Sequence, residues 1–294
     1  MAMQIDRSNV IPVAGKSPSD SQIGTLLIDA GKMIPQDAER VLRYAKEKGL
    51  RFGDAALELR LVTRDEIDRI VALQFGYPYV MPGESPLLPE VVAAYRPFSA
   101  QVEAFRALRS QLLLRWFGDS LDRKRLAIVS VTRSDGRSYT AANLAVVFSQ
   151  LGEQTLLVDA DMRNPRQHDI FGLNNSVGLS TVLSGRAGAD AVQRIPAFSK
   201  LSVLPSGPLA PNPQELLDRA SFAQSIDDWS RHFDVVLFDT AAAGVAADAR
   251  IVAAKAEGAF VLTKLNKNKY PQVKALCEEL TGIGVSVVGS VINK

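Results

Sequence analysis

The spacing of apolar positions along this chain changes near residue 100. Before that point, IGTLLIDAGKMIPQDAERVLRYAKEK and FGDAALELRLVTRDEIDRIVALQFG place apolar residues three and four apart, the spacing of amphipathic helices. The two runs align, with Gly24 on Gly53 and Ala38 to Leu42 on Ile67 to Val71. Each reads as a short helix, a turn and a second helix opened by acidic residues, which predicts paired helical hairpins and a small all-α domain over 22–80. Residues 1–21 have no period and read as a flexible arm. From Tyr77 to Pro97, Pro78, Pro82, Pro86, Pro89 and Pro97 punctuate polar residues, and the linker they mark is assigned to 81–99.

Helical spacing returns from Ala100 to Trp116, and short apolar runs then alternate with helical ones. The runs are LAIVSV, TLLVDA, LSVLPS, DVVLFD, GAFVLTK and SVVGSVI, with a helix from Ser138 to Leu151 after the first. Strands apolar on both faces suit a parallel sheet covered by helices on each side, so 100–294 is expected to be an α/β domain. Ligands of such sheets bind beyond the carboxyl ends of the strands, which would gather Ser130, Asp159, Asp161 and Asp239 in one crevice.

The segment LLVDADMRNP, from Leu156 to Pro165, carries the densest chemistry. Alternation points Asp159 and Asp161 the same way, and two like charges on one edge call for a cation. A strand ending in a solvated Asp-rich turn fits the same residues. In SVTRSDGRSYTAANLA, Gly136, Arg137 and Ser138 fill the last three positions of the GxxxxGK[ST] phosphate loop. Val131 stands at its first glycine and Arg137 at its lysine, and a Ser-rich strand-to-helix turn is the alternative for the segment alone. The loop and the three acidic strand ends together point to a bound magnesium nucleotide.

Composition narrows the setting. With 34 basic and 32 acidic residues among 294, the net charge of +2 gives no basis for wholesale binding of nucleic acid. The single cysteine, Cys277, cannot form an intrachain disulfide, and with only His168 and His232 a zinc site is excluded. No apolar run approaches the roughly 18 to 20 residues that span a bilayer, so the chain reads as cytoplasmic.

Taken in order, these motifs resemble the bacterial tyrosine kinases. LLVDADMRNP matches the family's second acidic Walker motif, and EAFRALR, from Glu103 to Arg109, matches its ExxRxxR helix. GLSTVLSG and LPSGPLAPNPQELL follow in family order, and VVGSVIN, ending at Asn293, resembles the last strand. The N-terminal half resembles the helical domain that precedes type II secretion ATPases, and the pairing is similar to the EpsG-type chain-length-determinant branch of exopolysaccharide biosynthesis.

The resemblance implies a P-loop NTPase sheet, a tyrosine kinase and ATPase activity that regulates exopolysaccharide chain length, and ATP with Mg2+ as cofactors. It implies a membrane-embedded, Wzz-like co-polymerase as partner, with the chain membrane-associated through it. It also implies a homo-oligomeric ring built through Glu103, Arg106 and Arg109. Ser138, Asp159 and Asp239 would hold magnesium, Asp161 would orient or deprotonate a tyrosine hydroxyl, and Arg137 would bridge the terminal phosphates. Ser134, Asp135, Gly136, Tyr139 and Arg163 would complete the nucleotide site, with Asn293 beside the adenine. Related secretion-ATPase domains bind cyclic di-GMP through paired turns, here Gln22-Ile23-Gly24 and Arg51-Phe52-Gly53, a role ranked below simple docking.

The chain departs from the family at three places. Ser134 replaces a glycine, and DTAAAG replaces Asp-Thr-Pro-Pro, which predicts a less firmly aimed Asp239. The family's C-terminal tyrosine cluster has no counterpart, the last tyrosine being Tyr270, so either another protein supplies the acceptor or nucleotide binding is itself the output. A nucleotide-binding scaffold of weak activity and a partition-type P-loop ATPase therefore stand beside the kinase as readings.

Overall fold

The computed structural model describes residues 20–74, 78–80, 83, 85–118 and 123–293. The flexible arm expected over 1–21 lies outside them up to residue 19, as does Pro82 of the expected linker. The chain divides into two units, Met1–Tyr79 and Val80–Lys294. Among the described residues, no helix is long and apolar enough to cross a membrane.

The first unit holds α1 (Asp20–Asp29), α2 (Pro35–Lys48), α3 (Phe52–Glu58) and α4 (Arg64–Gln74). Pro35 opens α2, and Gly49 closes it in the left-handed region at φ 66°. Thr63 and Glu66 cap α4, the Thr63 N–H and hydroxyl donating to Glu66 Oε2 at 2.9 and 3.1 Å. Leu27, Val41, Phe52, Ala55 and Ile70 form the core. A Cβ on Gly24 would stand 3.1 Å from the Phe52 ring, so the glycine lets α1 close on α3. The two tripeptides read as ligand-binding turns are instead helical: Gln22 to Gly24 lies inside α1, and Arg51 caps α3 ahead of a buried Phe52. Phe52 is taken up by helix packing.

The second unit is built on β1 (Arg125–Ser130), β2 (Thr155–Asp159), β3 (Gln193–Arg194), β4 (Leu201–Leu204), β5 (Val235–Asp239), β6 (Gly258–Lys264) and β7 (Ser286–Asn293). Their order is β3-β4-β2-β5-β1-β6-β7, parallel throughout except for the β3–β4 pair. The two-residue β3 is too short to show a period in sequence. Helices α5 (Val92–Tyr95), α6 (Ala100–Leu112), α7 (Arg137–Leu151) and α8 (Gln167–Phe171) lie toward one face. The other is covered by α9 (Leu179–Leu183), α10 (Pro213–Asp218), α11 (Ala220–His232), α12 (Asp248–Ala256) and α13 (Tyr270–Gly282). Leu126 and Ile128 enter the first core, and Ala127 and Val129 the second, which is why the strands carry no polar alternation.

The segment expected to be a linker differs from that expectation. Val80, Leu87, Val91, Ala93 and Ala94 are buried in the core beneath α7. The Ala93 N–H donates to Asn143 Oδ1 at 2.9 Å, Asn143 Nδ2 donates to the Glu90 carbonyl at 3.0 Å, and the Leu88 N–H donates to the Ile170 carbonyl at 2.8 Å. Pro86 packs so closely on Gly172 that a Cβ there would meet the Pro86 Cβ at 2.5 Å. Its apolar residues are too few to show a period between prolines, so composition hides a strap.

Candidate functional site

The crevice lies where β1, β2 and β5 end. Asp159 and Asp239 are Cα partners, and Asp239 is also the partner of Ile128 on β1. From Ser130 the chain turns through Ser134, at φ 58°, and Gly136, at φ 99°, before α7 begins. The Ser134 backbone is thus in the left-handed region that glycine tolerates best, as the glycine at this position of the family loop anticipates. At Gly136 a Cβ would also stand 2.4 Å from Asn293 Nδ2. That amide donates to the Asp135 carbonyl at 3.0 Å and so braces the loop.

The Asp135 side chain turns inward. Its carboxylate is fully buried and accepts from the Thr132 N–H at 2.9 Å and hydroxyl at 2.7 Å. Lys267 Nζ lies 3.1 Å from Oδ1, and Asn268 Nδ2 donates to Oδ2 at 3.2 Å. Burial favours the protonated form, but the hydrogen bonds from Thr132, Lys267 and Asn268 together hold the Asp135 carboxyl below its ordinary value. The Asp135 side chain therefore binds the loop to itself, and its backbone stays part of the loop expected at the cofactor. Lys267 also donates to the Arg133 carbonyl. Lys267 and Asn268 escaped the sequence reading because the turn after β6 carries no motif.

Arg137 is buried beneath the loop. Its Nε donates to the Thr240 carbonyl at 2.7 Å, and its Nη1 donates to the Thr132 carbonyl at 2.8 Å and to Ser130 Oγ. Nη2 stands 4.0 Å from Asp161 Oδ2. One guanidinium thus joins β1, the loop and the segment after β5. Thr240 adds a bond to the Ile128 carbonyl at 2.8 Å, and the N–H groups of Ala243 and Gly244 donate to the Ser130 and Val131 carbonyls, each at 2.9 Å. These bonds tie the DTAAAG segment to β1 and the loop in the absence of the two prolines.

The acids differ in environment. Asp159 Oδ2 accepts from the N–H groups of Arg166 and Gln167 at 3.0 and 2.9 Å, while its Oδ1 accepts from the Asp161 N–H at 3.3 Å. Burial, then the neighbouring Asp239 charge, push the Asp159 carboxyl well above its ordinary value. Burial likewise pushes Asp239 up to about 6, although hydrogen bonds from Gln167 and Ser138 oppose the rise. Asp161 accepts from the Asn164 and Arg163 N–H groups through Oδ1 at 2.9 and 3.2 Å, which leaves Oδ2 toward the cavity. Burial raises Asp161 as well.

Gln167, absent from the sequence reading, ties these parts together. It is fully buried, and its Nε2 donates to Asp239 Oδ2 at 2.8 Å and to the Ser138 carbonyl at 3.1 Å. No motif distinguishes it from the polar residues around it. Arg163, expected at the cofactor, forks instead onto the buried Asp248, with bonds of 2.7 and 3.1 Å.

A cavity of about 410 Å³ lies against Arg133, Ser134, Gly136, Arg137, Ser138, Tyr139, Asp161, Asn164 and Arg166. An apolar one of about 220 Å³ shares Tyr139 with it and is lined by Phe105, Leu108, Leu262, Val291 and Asn293 among others. Arg163 lines a separate cavity of about 670 Å³ with Pro211 and Pro213 of the LPSGPLAPNPQELL segment, away from the loop. On α6, Glu103 pairs with Arg106, and Arg109 Nη1 donates to the Val147 carbonyl of α7 at 2.7 Å.

The donors suit magnesium. Asp239 Oδ1 is buried without a hydrogen-bond partner, beside the Ser138 hydroxyl and a second carboxylate. Among the described residues, no three His, Cys, Asp or Glu side chains are grouped to hold a metal alone. Two carboxylates and a hydroxyl form an incomplete shell that phosphate oxygens would finish, as magnesium sites commonly require.

No protein-family model matches the chain. It is 35% identical over 205 residues to the tyrosine-protein kinase YwqD of Bacillus subtilis, covering 69% of this chain and 85% of YwqD. The tyrosine-protein kinase CpsD of Streptococcus agalactiae is 33% identical over 193 residues, covering 65% of this chain and 82% of CpsD. The kinase domain of the Escherichia coli tyrosine kinase ETK superposes with a TM-score of 0.68 at 27% identity, covering 72% of this chain and 82% of that domain.

Proposed function

Because the chain belongs to the bacterial tyrosine-kinase family, we propose that it transfers the terminal phosphoryl group of ATP to a protein tyrosine in an exopolysaccharide system, acting beside a membrane-embedded co-polymerase. The chain-length role, the co-polymerase partner and membrane association through it come from the EpsG-type resemblance, as does a ring through Glu103, Arg106 and Arg109. The helical unit would serve as a docking module. One observation carries the chemistry: Ser138, Asp159 and Asp239 meet at the loop end, and Asp161 lines the cavity that Ser138 also lines.

In this reading the N–H groups from Ser134 to Ser138 hold the phosphates, and the adjacent apolar cavity takes the base against Leu262 and Val291. Ser138, Asp159 and Asp239 would hold magnesium. When bound, it would neutralise the developing phosphate charge. Asp161 Oδ2 takes the proton from the tyrosine hydroxyl as the phosphoryl group transfers, while Oδ1 stays fixed by Asn164. Phosphoryl transfer needs little beyond such positioning and charge.

The test is incubation of the full chain with labelled ATP, magnesium and the co-polymerase's cytosolic segment, followed by phosphotyrosine mapping. Label on tyrosine that disappears in Asp161→Asn supports the kinase reading, and absence of label on both proteins overturns it. A second reading, a nucleotide-binding scaffold, is favoured by Arg137, whose donors are held by protein acceptors. It predicts bound nucleotide without turnover in the same reaction.

A further inference from the structure

We propose that Arg166 reads the terminal phosphate of a bound nucleoside triphosphate, and that Glu90 on the strap competes with that phosphate for it. The inference rests on the cavity at the loop being the phosphate site. Three arginines line that cavity: Arg133, Arg137 and Arg166. Arg137 is buried and donates to Thr240, Thr132 and Ser130, so its reach to a ligand means giving up bonds inside the protein. Arg133 comes from the loop itself, whose N–H groups would hold the phosphates of either nucleotide.

Arg166 comes from the opposite wall, the segment after β2 that also supplies Asp161 and Asn164. Its backbone is fixed, the N–H donating to Asp159 Oδ2 at 3.0 Å, so the side chain starts beside the acids. Its guanidinium is half exposed and pairs with Glu90 through Nη2 at 2.9 Å. An exposed pair of this kind is weakly held, and a phosphate oxygen offers the same fork a stronger anionic acceptor. Phosphates held by the loop at the start of α7 would carry their outermost group toward Asp161 and Arg166, which line the same cavity. A diphosphate ends short of those two residues.

Glu90 makes this exchange more than a local contact. Its carbonyl is bound by Asn143 of α7, and the strap that carries it continues in sequence from the helical unit. Release of Arg166 removes the strap's ion pair to the acidic wall and leaves its backbone bonds to α7 intact. The strap would therefore differ between triphosphate and diphosphate states at one defined contact.

The experiment is calorimetric titration of the full chain with magnesium and either a non-hydrolysable ATP analogue or ADP. The unsubstituted chain is expected to prefer the triphosphate. Arg166→Gln keeps the backbone N–H to Asp159 and should weaken triphosphate binding roughly tenfold while leaving ADP within about twofold. Glu90→Gln should strengthen the triphosphate alone, and Arg166→Lys should restore part of the preference. Arg133→Ala should weaken both ligands alike. If Arg166→Gln keeps the wild-type preference, or loses both ligands equally, the inference is overturned while the nucleotide reading stands. If the unsubstituted chain binds neither ligand, the nucleotide reading fails and takes this inference with it.

Discussion

Asp159 and Asp239 face each other as Cα partners at the ends of adjacent parallel strands, and neither side chain has any solvent exposure. Two ionised carboxylates so placed repel each other and lose hydration together. The free protein therefore favours a proton on the pair, and a divalent cation can take its place.

Stability of the ligand-free chain should consequently fall as pH rises through about 6, the value to which burial pushes Asp239. The sign follows from linkage: between its ordinary value of 3.8 and about 6, the folded state binds more protons than the unfolded one. Asp239→Asn is expected to raise the ligand-free melting temperature at pH 8 by several degrees and to flatten its pH dependence. Thermal denaturation from pH 5 to 8 measures both, and a variant that melts lower at pH 8 contradicts the assignment.

Magnesium-dependent nucleotide binding should run the opposite way, weakening as pH drops below about 6, because the cation requires the ionised pair. Gln167 lowers the midpoint against the effect of burial, since its Nε2 bond to Asp239 favours the charged form. Gln167→Met keeps the approximate volume and removes the donor, so the midpoint should move upward. A fluorescent ADP analogue titrated across pH gives the readout, and an unchanged midpoint would make Gln167 a packing residue only.

Arg137→Lys is the conservative change that the site should not accept. A lysine ammonium cannot reach the Thr240 and Thr132 carbonyls and Ser130 Oγ as one planar fork. The orphaned buried acceptors should cost about 1–3 kcal/mol of stability. Denaturant unfolding of the full chain checks this, and a gain in stability would show that the arginine is strained.

Ser134→Gly should stabilise the loop, because the serine backbone sits at φ 58°. Relief of the left-handed conformation is worth about 1 kcal/mol, partly offset by the greater freedom of glycine when unfolded. The ATPase rate of the same variant tests the loop. A clear rise in ATPase rate would mean that serine had weakened a working loop, whereas tighter folding with no change in a measurable rate would mean that the loop tolerates serine.

Much of this architecture was legible in the chain itself. The apolar strands, the helix after the loop and the acids at the strand ends are local properties, written as period and as residue type within a few positions. The left-handed demand at Ser134 was legible only through the glycine that the resembling family carries at that position. The sequence could not tell which polar groups meet. Arg163 was read toward the cofactor, yet its partner is Asp248, 85 positions away, and Arg137 reaches Thr240 across 103. Asp135 turned inward because Lys267 and Asn268 from the turn after β6 met it there. Those meetings are decided by the order β3-β4-β2-β5-β1-β6-β7, which brings β1 between β5 and β6. Hydrophobic patterning fixes which residues are buried, but strand order alone determines which buried charge finds which donor, and only the folded sheet contains that information.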